Sequence, residues 1–440
     1  MIIEVSCMEC VIVFCGIHKS CMNLLLKRIN TFDDGASEIE KMITDISRRW
    51  RVLSGLNNWQ NLLNPLDGDL QSYLLHYGSM AQATYDAFNS EKRSKYGGSC
   101  RYAKNNLFSK VGLVKANPFK YKAVKYIYAT ADIEVPKSFI LKPLRHKAAW
   151  CGKSNWMGYV AVATDEGKIA LGRRDILVAW RGTIMPVEWA KDFEFPLVSA
   201  STIFGKACGD AKVHQGVVSL YTSFDPNSNL NKTSARDQVL SEVRRLLKQY
   251  MNEEVSITIT GHSLGGALAS LNAADIVCNG LNKISRSHSS MGCPVTGFLF
   301  GAMRIGDFEF RDILESMKDI HILRVCNATD IVPYYPTVGY SVVGVELEVD
   351  NRKSPYLKRS NKPAAGHNLE SAYLHAVAME KEKGKEWKRD VANANRTMNA
   401  LKDKLLIPAR WWVEKNKGMV QLENGRWALQ DHETDLDEDD

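Results

Sequence analysis

Nowhere in its 440 residues does the chain run through 18 consecutive apolar residues, so no membrane-spanning helix is expected. The start lacks the basic opening of a secretory signal. Glu4 and Glu9 precede the short apolar run Val11–Phe14, and the stretch is not rich in Arg and Ser as transit peptides are. Half of a metal site is missing: Cys7 and Cys10 are spaced like two zinc ligands, but no matching second pair follows, so no metal is expected. No internal repeat is visible. A strong charge of one sign is absent too. The net charge of +7 allows contact with an anionic membrane surface, but it does not mark a nucleic-acid binder. Ten cysteines are present, and Cys278, Cys293 and Cys326 lie in apolar, core-like contexts. In a large chain such scattered thiols read as reduced, which makes a cytoplasmic location the expectation.

What is present is an ordinary globular composition, 45% hydrophobic and 24% charged. The expected organisation is an N-terminal extension over 1–44, poorly ordered; a single main domain over 45–427; and an acidic tail over 428–440 that ends in DLDEDD. Ile39, Met42, Ile43, Ile46 and Trp50 have the spacing of an amphipathic helix where the body begins. Strand-like runs follow at Met157–Thr164, Asp175–Trp180, Val255–Thr260, Gly297–Gly301 and His321–Cys326. Helical patterns lie between several of them, notably TSARDQVLSEVRRLLKQY with its Thr/Ser cap. Strands alternating with helices predict an α/β fold with a mostly parallel central sheet covered on both faces.

The chemistry is read at GHSLG, Gly261–Gly265, where one strand ends and a helix of small residues begins. A strand-to-helix turn this tight forces its central residue into a strained backbone and demands small neighbours two positions away on each side. Gly261 and Gly265 meet that demand, with Gly266 and Ala267 adding room. This is a nucleophile elbow, with Ser263 as the candidate nucleophile. The following helix would turn its positive end toward the reacting oxygen.

A serine needs a base, and in an α/β sheet with this elbow the chain order is Ser, acid, His. Asp330, just past the strand in HILRVCNATDIVPYYP, is the favoured acid; Asp307 is the rival, at what looks like a helix start. Three histidines remain downstream. His367 in the glycine-containing loop of AAGHNLESAYLH is the favoured base. His375 falls inside the next helix, and His432 sits in the acidic tail. The backbone N–H of Leu264 and that of Thr183, in the Arg181-Gly182-Thr183 turn after DILVAW, are the candidate oxyanion hole.

Together these pieces resemble the class 3 lipases: WRGT, then HQG at His214–Gly216, then GHSLGG, then a late Asp and His. RRWRVLSGLNNWQNLLNPLDGDL, HYGSMAQATYDAFN and IPARWWVEKNKGMVQLENGRW are similar to the plant phospholipase A1 class II proteins, and that likeness runs from about Ile46 to Trp427. It implies an α/β-hydrolase fold, hydrolysis of the sn-1 acyl ester of phospholipids at a membrane surface, no cofactor, and Ser263, Asp330 and His367 as the triad. It further implies a lid near 184–195, in TIMPVEWAKDFEF. There Trp189 and Phe193 can share one helical face with Met185 nearby, poised to meet lipid. The chain departs from the pattern in residues 1–43 and in GAMRIGD, Gly301–Asp307. Galactolipid, triacylglycerol and small esters present the same bond to such a triad, so a galactolipase, a triacylglycerol lipase or a general carboxylesterase remains an alternative. A catalytically silent signalling scaffold is another, although only about seventy residues follow His367, fewer than an added domain of ordinary size.

Overall fold

The run RDILVAW has no polar residue between Asp175 and Trp180, which suits a strand buried on both faces of a parallel sheet. In the computed structural model it is such a strand. The structure describes residues 45–142, 151–184, 195–205, 210–283, 292–380, 389–412, 419–429 and 432–433. The N-terminal extension, the lid residues Met185, Trp189 and Phe193, and the final acidic run lie outside the described residues.

Seven strands make the main sheet: β1 (Tyr121–Ala129), β2 (Asn155–Ala163), β3 (Arg174–Trp180) and, after a two-stranded ladder of β4 (Leu197–Ser199) and β5 (Lys212–His214), β6 (Val255–His262), β7 (Val295–Phe300), β8 (Ile320–Asn327) and β9 (Val345–Val349). Their order is β1-β2-β3-β6-β7-β8-β9. The pairs from β3 through β9 are parallel, and β2 runs antiparallel to both of its neighbours. The mostly parallel sheet and its five anticipated strands are therefore present.

Period-two alternation divides the sheet into two cores. Ile176, Val178 and Trp180 of β3, with Ile257 and Ile259 of β6, face one layer of helices. That layer contains α-helices of which four matter below, numbered after α1 (Gly68–Asp86): α2 (Gln215–Thr222), α3 (Ala235–Gln249), α4 (Leu264–Cys278) and α5 (Phe308–Ser316). Leu177 and Ala179 face the opposite layer, formed by α1 and the C-terminal helical segment from Leu369 to Met379. Helix α3 starts where its cap chemistry places it: Ser234 accepts from the Asp237 N–H, and its own hydroxyl donates to the Asp237 carboxylate at 2.6 Å.

The alternation in VSITIT differs from that of a strand with one wet face. Every residue of β6 is buried. Ser256 and Thr258 donate to Asp175 at 2.5 and 2.7 Å, and Thr260 donates to the Phe298 carbonyl at 2.9 Å. Buried hydroxyls are tolerated here because each has a partner.

The C-terminal segment is tied back onto the core. Arg396 pairs with buried Asp86 at the end of α1 at 2.8 Å and stacks over Trp412 at 3.8 Å. Burial pushes the Asp86 carboxyl up to about 6 despite that cation. His432 stacks on Tyr96, and Glu433 pairs with Lys110 at 2.9 Å, so the chain is anchored past the expected start of the tail.

Candidate active site

Strand β6 ends at His262 and α4 begins at Leu264, leaving Ser263 alone at the corner. Its backbone sits at φ +60°, ψ −126°, a region an L-residue occupies only under constraint. Two things impose it. The Ser263 N–H donates to the Phe300 carbonyl at the end of β7 at 3.0 Å. The backbone also closes so tightly that a Cβ on Gly261 would overlap Gly265, and one on Gly265 would overlap the Trp180 carbonyl. The elbow glycines are thus required by close approach rather than by a left-handed φ. Ser263 Oγ is buried and has no hydrogen-bond partner among the described residues. Leu264, the first residue of α4, has an N–H beyond the reach of the helix's own acceptors.

Asp330 lies three residues past β8, only 2% exposed. One carboxylate oxygen accepts the Val332 N–H at 3.0 Å. The other meets His367 Nδ1 at 2.6 Å and accepts the hydroxyl of Tyr373. His367 sits in the turn between Pro363–Gly366 and the helical segment at Leu369, with Asn368 capping the latter through the Ser371 N–H. Asn327 at the end of β8 holds the two loops together by donating to the Gly366 carbonyl at 2.8 Å. The carboxylate therefore receives Nδ1–H and leaves Nε2 as the basic atom of the ring.

The rival residues have other tasks. Asp307 is the N-cap of α5, accepting the Phe310 N–H. His375 is buried with Nε2 at 2.7 Å from Ser354 Oγ; burial and then the Arg389 charge push its pKa down to about 4. His214 of the HQG motif caps α2 through the Val217 N–H.

Gly182 and Thr183 follow β3 at the mouth of the site. Gly182 has no positive φ; it is needed because a Cβ there would overlap the Tyr85 hydroxyl and the His262 carbonyl. Its neighbour Arg181 is fully buried, with no carboxylate partner among the described residues. It donates instead to the carbonyls of Trp156 at 2.9 Å and Gly182 at 2.8 Å, and lies over Phe88 at 4.0 Å. A salt bridge is the plain reading of RGT; here the guanidinium clamps the turn through backbone oxygens. Desolvation lowers its pKa to about 9.

A second layer of positioning groups escapes sequence reading. The His262 Nε2 lies 2.8 Å from the His367 carbonyl, which can only accept, so Nε2 carries the hydrogen. Nδ1 is then the acceptor for the Tyr85 hydroxyl at 2.8 Å. Burial, and then the neighbouring His367, hold His262 well below the usual histidine range, consistent with the neutral ring this arrangement needs. The two imidazoles lie with centroids 4.5 Å apart. Tyr85, His262 and Tyr373 thus hold His367 and its acid from three sides. The only signal for them was their presence inside stretches quoted above, without a spacing that marks their role.

Tyr85, Thr183, His262 and His367 all line one cavity of about 1290 Å³. Among the described residues no cluster of ligands fit for a metal occurs, and no helix is long and apolar enough to cross a membrane.

The family model described as Lipase (class 3) matches residues 177–340, spanning Ser263 and Asp330 and ending before His367. The chain is 50% identical over 402 residues to Phospholipase A1-IIgamma of Arabidopsis thaliana, covering 90% of this chain and 95% of that one. It is 51% identical over 394 residues to Phospholipase A1-IIbeta of the same plant, covering 88% and 94%. With Phospholipase A1-II 1 of Oryza sativa subsp. indica it shares 48% over 396 residues, 89% and 98% of the two chains. Among solved structures, the Rhizomucor miehei triacylglyceride lipase aligns with a TM-score of 0.41 at 20% identity, over 64% of this chain and 81% of that one. Lip2 lipase of Yarrowia lipolytica aligns at 0.42 and 17%, over 72% and 93%. With half its residues shared along nearly its whole length, this chain belongs to the phospholipase A1-II family of class 3 lipases.

Proposed function

We propose that this protein is a phospholipase A1 that removes the sn-1 acyl chain of glycerophospholipids by a Ser263–His367–Asp330 triad. The observation that supports it most is the 2.6 Å Asp330–His367 pair, in a fold that also holds a buried serine at φ +60° on a helix N-terminus. In this reading His367 Nε2 takes the Ser263 proton as Oγ bonds to the ester carbon. Asp330 fixes the tautomer and stabilises the imidazolium. The oxyanion rests on the N–H groups of Leu264 and Thr183, each worth roughly 3 kcal/mol of transition-state stabilisation. The bond to the glycerol oxygen breaks, His367 returns the proton to it, and the lysophospholipid leaves. Water then gives a proton to His367, attacks the acyl-enzyme and frees the fatty acid and Ser263. The substrate surface is a membrane, met peripherally, and residues 184–195 act as the lid.

Vesicles of phosphatidylcholine with different chains at sn-1 and sn-2 test this. Wild type should release the sn-1 fatty acid, and Ser263→Ala should lose about 10⁶-fold in kcat with its melting temperature unchanged. Release of the sn-2 chain, or hydrolysis retained by Ser263→Ala, would refute it. Cleavage of a soluble ester without any phospholipid cleavage would leave an esterase in its place.

A further inference from the structure

The cavity beside His367 is chemically lopsided. Its lining includes Arg352, Lys358, Arg359, Lys362, Lys402 and Arg410 and, among the described residues, no Asp or Glu. Two of these cations are balanced from outside the lining: Arg352 pairs with Asp350 at 2.8 Å and Lys358 with Asp403 at 2.7 Å. Lys402 Nζ donates to the Pro355 carbonyl at 2.7 Å. The side chains of Arg359, Lys362 and Arg410 are exposed and have no hydrogen bond or ion pair among the described residues. Three unspent cations thus gather in a concave space that also contains the candidate base.

The wall that carries them is built. Lys358 N–H donates to the Ala400 carbonyl at 2.8 Å, and Lys402 N–H to the Tyr356 carbonyl at 2.9 Å, joining the two basic segments as a short ladder around the Leu357–Leu401 bridge. Leu357, Ala394 and Leu401 form a small core behind it. The Arg396–Asp86 pair anchors the same segment to α1. All six cations follow residue 340, where the class 3 match ends.

We infer that this cavity is a headgroup site that selects glycerophospholipids of net negative charge. Like-signed charges in a cleft with low-dielectric walls reinforce one another's field, and Arg forks match phosphate oxygens two at a time. A zwitterionic headgroup brings its own cation into the same field and gains less; a sugar headgroup brings no charge. The inference rests on the phospholipase reading and adds the headgroup to it.

The test uses dihexanoyl phosphatidylglycerol and dihexanoyl phosphatidylcholine as dissolved monomers, so that attraction to a charged vesicle surface plays no part. Wild type should show kcat/KM at least about 10-fold higher on the glycerol lipid, the scale of one charge-assisted hydrogen bond. In Arg359→Gln/Lys362→Gln/Arg410→Gln that ratio should fall to near 1 through loss on the anionic lipid alone, with p-nitrophenyl butyrate hydrolysis unchanged. Inorganic phosphate should compete with p-nitrophenyl butyrate in wild type, and at least about 10-fold more weakly in the triple variant. A lipid ratio unchanged by the substitutions would overturn the inference, as would a preference that appears on vesicles and never on monomers. If neither lipid is cleaved while phosphate still competes in wild type alone, the anion site stands and the phospholipase reading falls. Loss of both refutes both.

Discussion

The floor of the site and its C-terminal wall are made in opposite ways. The floor, made by the ends of β3, β6 and β7 and by Asp330, is buried, and backbone geometry holds it. A serine is forced to φ +60°, glycines leave no room for a Cβ, and Arg181 is spent on carbonyls, the Met157 sulfur and a ring. The wall, the two segments 352–362 and 402–410, carries exposed cations and is held by a few side-chain ties, with charge left over. Reaction chemistry needs fixed angles, which a buried backbone supplies. Choosing among ligands needs only a field of the right sign, which exposed side chains on a braced loop supply. Changes to the floor should therefore abolish turnover, and changes to the wall should alter stability or preference.

The largest expected effect is on the floor. Asp330→Asn keeps the shape but cannot hold Nδ1–H while stabilising an imidazolium, and should cost about 10⁴-fold in kcat with circular dichroism unaltered. A loss below tenfold would show that His367 does not depend on that pair. A smaller effect is expected behind the wall. His375 is held neutral down to about pH 4 by burial and the Arg389 charge, whereas in the unfolded chain it takes a proton near ~6.5. Between those values the unfolded state binds the extra proton, so stability falls as the pH falls from ~6.5 to about 4 and the contribution is flat below that. The total is of the order of 3 kcal/mol. Urea denaturation of His375→Gln should show a shallower dependence over this window than wild type, and identical slopes would refute the assignment.

The same contrast governs what the sequence could tell. Ser263, its glycines and the strand–helix order are legible because tight turns leave few residue choices. Asp330 and His367 are legible because chain order narrows the field to a few residues. The alternation in VSITIT misleads, since its hydroxyls look solvent-facing and instead satisfy Asp175 and a carbonyl inside the core. Tyr85 and Tyr373 reach the site from 282 and 6 residues away from His367, respectively, and no local pattern fixes such a distance. The cations of the wall are scattered over 352–410, and only folding brings them into one cavity.

The most direct measurement is covalent. A fluorophosphonate carrying one alkyl chain, followed by peptide mass spectrometry, should place the phosphonyl group on Ser263 alone. Prior incubation with phosphatidylglycerol should slow the labelling, and Ser263→Ala should take none. Labelling of any other serine, or full-rate labelling of Ser263→Ala, would contradict the assignment of Ser263 as the nucleophile.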